Sequence, residues 1–181
     1  MEDLDSGTLK KAIKGDDKAF RALYDHYAPF VWRLILRMTG EQQLATELLQ
    51  DTFIRVHGAL RKFKGDSSFS TWIYRIAHNS VLMSYRKNRK AKFHDPFEDQ
   101  ITACSHADLY QNKQLAHIVL SDLTIEDRFL LVAREIDGLS FDEISQICGI
   151  SAGTLRTRLH RLKETIRNRF SETSIGKEAV A

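Results

Sequence analysis

The sequence predicts an all-α protein: two small helical domains joined by a flexible acidic linker. Three observations predict this. Apolar residues recur at helical spacing along most of the 181 residues, while the period-two alternation of a half-buried strand is nearly absent. Pro and Gly, which punctuate strand-rich folds, number only two and nine. Charge is unevenly placed. RKNRKAK (86–92) carries five cations, Arg156 to Arg169 carries six against the single acid Glu164, and 93–112 between them has four acids and no Lys or Arg. Two basic surfaces flanking an acidic connector divide the chain into domains at 1–93 and 113–171, a linker at 94–112 and a loose tail at 172–181.

Each element has its own signal. Asp16 or Asp17 can cap a helix carrying Phe20, Leu23, Tyr24 and Tyr27 on one face. Pro29 should end or bend it, with a second apolar helix running on to Gly40. Leu44, Leu48, Leu49, Phe53, Val56 and Leu60 mark an amphipathic helix over 42–60. KFKGDSSFS (62–70) is turn-rich, and Ser70 can cap a long helix through the basic run near Lys90. Past the linker, Leu115, Ile118, Val119 and Leu123 predict another helix. Thr124 with Asp127 forms a capping pair before FLLVAREI, which Gly138 terminates. Ser140 and Glu143 make a full S-x-x-E capping box for a short helix, 141–148. Gly149 turns the chain, and Ser151 caps a long final helix.

Composition excludes some classes. Charged residues at 28% and apolar ones at 43% are the balance of a globular protein. No apolar run reaches 18 residues, so no membrane insertion is expected, and the N-terminus lacks the apolar core of a signal peptide. Cys104 and Cys148 lie far apart, which suits a reducing cytoplasm. Cys104-Ser105-His106 with His117 lacks the paired spacing of a zinc site. Neither a phosphate-binding loop, paired catalytic carboxylates nor a nucleophile elbow occurs, so neither enzymatic activity, metal nor cofactor is expected.

The short helix, glycine turn and second helix have helix-turn-helix spacing. Ile144, Ile147, Ile150 and Leu155 are placed to pack the two helices together. Leu155, Leu159, Leu162 and Ile166 form one core-facing stripe, with Thr157, His160, Arg161 and Glu164 opposite. Ser151, Gly153, Thr154 and Arg156 sit at the helix N-terminus, the end that recognition helices push into the major groove. Small residues allow close approach, hydroxyls and the helix N-terminus suit phosphate, and Arg can read guanine edges. Arg158 flanks the core side and is assigned to phosphate. The bland alternative is a solvated basic helix on a bundle.

A lone helix-turn-helix would fit many regulators, so the first ninety residues must discriminate. AFRALYDHYAPFVWRL (19–34), ELLQDTFIRVH (47–57) and FKGDSSFSTWIYRIAHNSVLMSYRKNR (63–89), followed by GLSFDEISQICGISAGTLRTRLHRLKETIR (138–167), resemble in this order a bacterial sigma factor of the extracytoplasmic-function group, in the sigma-70 family. The shared patterns are FxxLYxxY, LxQDTFxRV, SFxTWxYRIAxN and the helix-turn-helix. The sequence departs from the family at Met83, where an acid is usual, around Leu44 and Thr46, where more acid is usual, and near Thr124, where Pro is usual.

The resemblance implies a sigma-2-like domain, a linker and a sigma-4-like domain that together direct core RNA polymerase to promoters. It implies docking of 47–57 on the clamp helices of the β′ subunit, through Glu47, Gln50, Asp51 and Arg55, and contact of the second domain with the β flap. The stretch 63–69 would hold an unpaired base of the −10 element through Phe63, Lys64, Asp66, Ser67, Ser68 and Phe69, since melting a duplex needs compensating contacts to exposed bases. Arg75, Asn79 and Arg86 follow on the next helix, where phosphate or base-edge contacts are plausible. Trp72 and Tyr74 could stack on bases, although an aromatic at helical spacing is more often core, the reading favoured for Trp72. The final helix would read −35 duplex DNA. Asp95, Glu98, Asp99 and Asp108 of the linker would mimic nucleic acid in the polymerase, and an anti-sigma factor is the implied regulator. The rival from another class is a stand-alone helix-turn-helix regulator, which predicts dimers and palindromic sites.

Overall fold

The computed structural model describes residues 4–89, 120 and 122–172, and all the regular structure among them is helical. α1 (Ser6–Ile13), α2 (Asp17–Thr39), α3 (Gln42–Ala59) and α4 (Phe69–Arg89) form the first unit. α5 (Ile125–Leu131), a π turn (Val132–Ile136), α6 (Phe141–Cys148) and α7 (Ala152–Glu172) form the second.

The polar N-terminus adds a helix that apolar periodicity did not indicate. Asp5 starts α1 by accepting from the Gly7 and Thr8 N–H groups at 2.9 Å each, and Leu4 N donates to Tyr27 Oη at 3.0 Å. Asp16 is the α2 cap, accepting from Ala19 N at 2.7 Å.

Pro29 neither ends nor divides α2, which runs unbroken from Asp17 to Thr39. Its ring is exposed, so the Asp25 carbonyl that loses its partner lies on the wet side of the helix. On the other side Leu23, Tyr27, Val31, Leu34, Ile35 and Met38 are fully buried, and tertiary packing outweighs the one missing hydrogen bond. Gly40, with φ +73°, closes the helix in the left-handed conformation.

α3 turns Ala45, Leu48, Leu49, Phe53 and Val56 inward. Ser68, not Ser70, caps α4: its Oγ accepts from Thr71 N at 3.1 Å and pairs with Thr71 Oγ1 at 2.7 Å.

In the second unit Thr124 accepts from Asp127 N at 3.2 Å. The helix then widens into the π turn, an element with no signature in FLLVAREI, before Gly138 at φ +72°. The expected capping box is present. Ser140 Oγ accepts from Glu143 N at 3.2 Å, and Glu143 Oε2 accepts from Ser140 N at 2.7 Å.

The units pack on each other, α6 against α4 and the π turn against α2, over one continuous apolar core. Arg37 donates to Asp137 at 2.7 Å. Arg128, only 4% exposed, reaches across to the Met38 carbonyl at 2.6 Å while its Nε donates to the Leu120 carbonyl at 2.7 Å. His78 of α4 lies against the Phe129 ring, with centroids 4.1 Å apart.

Burial lowers the His78 pKa to about 4, with Glu126 acting against this shift and Arg86 adding to it. The unfolded chain therefore binds the extra proton first, and stability is lost as pH falls from about 6.5 towards 4. Between pH 7 and pH 5 we expect a loss of roughly 2 kcal/mol from this group. Urea unfolding of the parent and His78→Leu at both pH values checks it, since the variant should lose that part of the dependence.

Candidate nucleic-acid and polymerase interfaces

α7 separates its faces cleanly. Leu155, Leu159 and Leu162 are buried, with Ile166 half-buried, against Ile144 and Ile147 of α6. Ile150 and Cys148 are half-buried at the edge of that core. Outside, Ser151, Gly153, Thr154, Arg156, Thr157, His160, Arg161 and Glu164 are all exposed. Ser151 caps the helix, with Oγ accepting from Thr154 N at 3.2 Å.

A Cβ at Gly153 would meet nothing within 4 Å, so packing does not require glycine there. Within a helix glycine costs about 0.5–1 kcal/mol relative to alanine. What the residue supplies is a bare backbone at the tip of the exposed face.

Two side chains have neighbours that the sequence did not disclose. The Arg156 guanidinium lies 5.3 Å from the Phe141 ring centroid, with Arg134 at 4.9 Å from the same ring. Phe141 thus positions Arg156 beside the exposed face, a role its place at the start of α6 did not signal. Arg158 pairs with Asp127 at 2.6 Å, and Thr124 Oγ1 donates to the other Asp127 oxygen at 2.7 Å. Burial alone would raise the Asp127 pKa, but the hydrogen bonds from Arg158 and Thr124 outweigh it and hold the carboxyl below its ordinary range. Arg158 therefore ties α7 to α5, with its guanidinium occupied within the fold. His160 lies 3.5 Å from Glu164.

In the first unit the 63–68 loop leaves Lys64, Asp66 and Ser68 exposed and Ser67 half-buried, with Gly65 at φ +80°. Phe63 is half-buried and packs on Phe69 and Trp72 at 5.2 and 5.3 Å between centroids. Phe69 corrects the sequence reading. It is 2% exposed and wedged among Tyr27, Phe63 and Trp72, so its ring is core and does not meet a base in this conformation. Tyr74 is buried too, directed at Asp137 with its hydroxyl 3.5 Å away. Trp72 is half-buried, in keeping with its core assignment. Arg75, Asn79 and Arg86 are exposed on α4.

On α3, Glu47, Gln50, Asp51 and Arg55 are exposed along one stripe. Ile54 sits among them at 70% exposure. It was missed in the sequence, although an isoleucine at i+3 from Asp51 in a polar stripe was the available signal. On α4 Met83, itself 53% exposed, has its sulfur 3.8 Å from Arg55 Nη1. Met83 thus gives Arg55 a soft thioether contact.

The acidic linker residues Asp95, Glu98, Asp99 and Asp108, the candidate zinc residues Cys104, His106 and His117, and the basic run beyond Arg89 lie outside the described residues. Among the described residues no group of three or more His, Cys, Asp or Glu could hold a metal ion, and no helix is long and apolar enough to cross a membrane.

Residues 23–91 match the family model for sigma-70 region 2, and residues 117–166 that for sigma-70 region 4. The extracytoplasmic-function (ECF) RNA polymerase sigma factor SigW of Bacillus subtilis is 30% identical over 95% of this chain and all of its own length. The ECF RNA polymerase sigma-E factor of Escherichia coli is 31% identical over 91% of this chain and 93% of its own. Among solved structures, CnrH in complex with the cytosolic domain of CnrY superposes with a TM-score of 0.71 at 21% identity, covering 92% of this chain and 97% of that one. The sigma factor RpoE from Bartonella quintana, bound to the anti-sigma factor NepR, gives 0.66 at 18% identity, covering 86% and 98%. At these identities the structures establish a shared fold.

Proposed function

The chain belongs to the extracytoplasmic-function group of the sigma-70 family, and we propose that it is a dissociable initiation subunit with two separate grips on a promoter. Residues 1–93 form the sigma-2-like half, which binds core polymerase and holds a melted −10 element. Residues 113–171 form the sigma-4-like half, which reads −35 duplex, and 94–112 join the two. The exposed face of α7, from Ser151 through Arg161, enters the major groove, with Arg156 and Arg161 at base edges. Lys64, Asp66, Ser67 and Ser68 receive an unstacked base, and Arg75, Asn79 and Arg86 follow the strand. Arg158 acts through its pairing with Asp127, holding α7 in position.

The observation that carries this reading is Ile54, an isoleucine largely in water at the centre of the Glu47–Gln50–Asp51–Arg55 stripe. A polar rim around an apolar anchor is the usual composition of a protein-binding face. The rival regulator would use such a face to dimerise, and the test below separates the two. The partner is the β′ clamp-helix surface of the polymerase, with the β flap meeting the second half. The chain itself carries out no catalysis, acts in the cytoplasm and takes no cofactor. The two solved likenesses are described as complexes, one of them with an anti-sigma factor, and a regulator of that class is proposed here also.

The test is association with purified core polymerase followed by sedimentation. The parent should form a one-to-one complex, and Ile54→Asp should weaken it by about tenfold or more with duplex binding by α7 retained. A chain that ignores core polymerase, dimerises and binds palindromic duplex unaided would overturn the reading.

A further inference from the structure

We propose that α1, with the 3-10 turn that opens the 63–68 loop, forms a sequence-independent track for single-stranded DNA and takes the unpaired strand onward from the base held in that loop. The inference rests on the two-grip reading above and deepens it. It adds a backbone-binding surface on the side of the loop that faces the start site.

The chain ties α1 to both ends of the loop. At one end Leu4 N donates to Tyr27 Oη at 3.0 Å, and the Tyr27 ring centroid sits 5.2 Å from that of Phe69, where the loop runs into α4. At the other end α1 packs on the 3-10 turn Leu60–Lys62, from which the loop departs. There Arg61 Nη2 lies 3.1 Å from where a Cβ on Gly15 would stand, and Gly15 itself has φ +95°. A side chain at Gly15 would press on that guanidinium. Around this junction Lys10, Lys11, Lys14, Arg61, Lys62 and Lys64 are all exposed. The helix Ser6–Ile13 contains no acid. Asp5 and Asp16, which flank it, are engaged as caps with backbone N–H groups at 2.9 and 2.7 Å. With Asp17 and Asp66 included, the cations still outnumber the acids six to four.

One cation would complement the C-terminal end of α1. A patch drawn from α1, the turn and the loop exceeds that need, and a phosphate backbone is the anion that matches a row of exposed cations. Lysine is a compact point charge without the planar fork that reads base edges, so the grip carries no sequence preference. Melting supplies the reason for it. A strand held at a single base re-pairs readily unless the nucleotides beside it are held as well. The eight residues of α1 rise about 12 Å, roughly the length of three to four stacked nucleotides. The direction follows from the order of elements. α4, with Arg75, Asn79 and Arg86, leads to the linker and to the half that reads the −35 element, so the strand on the α1 side of the loop runs toward the start site.

The experiment uses the full chain bound to core polymerase and forked DNA of two lengths. The non-template strand ends either just past the held base or about four nucleotides beyond it, on the start-site side. For the parent the longer strand should bind about five- to tenfold more tightly. Lys10→Gln, Lys11→Gln and Lys14→Gln combined should lose that gain and keep the affinity for the shorter strand within about twofold. The slope of log affinity against log salt on the longer strand should fall by about 2. The matching exchange to arginine keeps the charge and should bind as the parent does, with helicity unchanged in both variants. No length gain in the parent, a gain that survives in the glutamine variant, or a gain lost in the arginine variant too would each overturn the track. Loss of core binding in the glutamine variant would also overturn it, by assigning the patch to a polymerase surface. Failure of the parent to bind core at all would instead overturn the initiation-factor reading, while titration of the free chain with the two single strands still decides the track.

Discussion

Replacing Arg156 and Arg161 together with alanine is expected to lower affinity for the −35 duplex by about a hundredfold or more. Each guanidinium that reads a guanine edge in two places contributes about 1–3 kcal/mol of recognition, and the two lie more than a turn apart on α7, so their losses should nearly add. Both are exposed, Arg161 on the face opposite the buried Leu155, Leu159 and Leu162 and Arg156 at the N-terminal end of the helix. Arg156 is also held near Phe141, which limits the conformations it must give up on binding. The double variant should keep its helicity and its affinity for core polymerase. Anisotropy titrations on labelled duplex, with core binding measured in parallel, check this. Equal loss of both activities would show misfolding rather than a lost base contact.

Arg128→Leu should destabilise the fold by about 3 kcal/mol or more, lowering the melting temperature by roughly 10 °C. The cost follows from what the guanidinium satisfies. Its groups donate to the carbonyls of Leu120, Leu123 and Met38, and the last of these lies in the final turn of α2, whose carbonyls lack helical partners. A leucine there fills part of the volume and leaves acceptors dry. Thermal and urea unfolding of the variant give the value. A change below about 0.5 kcal/mol, the usual effect of a surface substitution, would mean that water replaces the arginine without penalty.

The sequence disclosed what depends on local spacing. The α7 stripe, the Ser140–Glu143 box and the Gly149 turn are all written within a few residues of one another, and each stands as expected. The exposed faces of α3 and α7 followed from the same periodicity. What the sequence withheld depends on partners far along the chain. Asp137 and Arg37 are 100 residues apart, and Arg128 and Met38 are 90 apart, so no window of sequence could pair them. Phe69 and Tyr74 looked like base-stacking candidates because an aromatic beside a serine-rich loop has two uses. Their burial is decided by Tyr27 and by Asp137, which local sequence does not reveal. Pro29 misled for a related reason. The rule that proline interrupts a helix is local, and the buried side of α2 overrides it.

The measurement that tests the central claim most directly is transcription in vitro by purified core polymerase, with and without this chain, on a library of genomic fragments. The account predicts start sites that depend on the chain and share two sequence elements upstream at fixed spacing. Ile54→Asp should lower the yield from all of them, in step with its weaker binding to core, and Arg156→Ala with Arg161→Ala should abolish those that rely on the farther element. Start sites unchanged by adding the chain, under conditions where it binds duplex DNA by itself, would contradict the account.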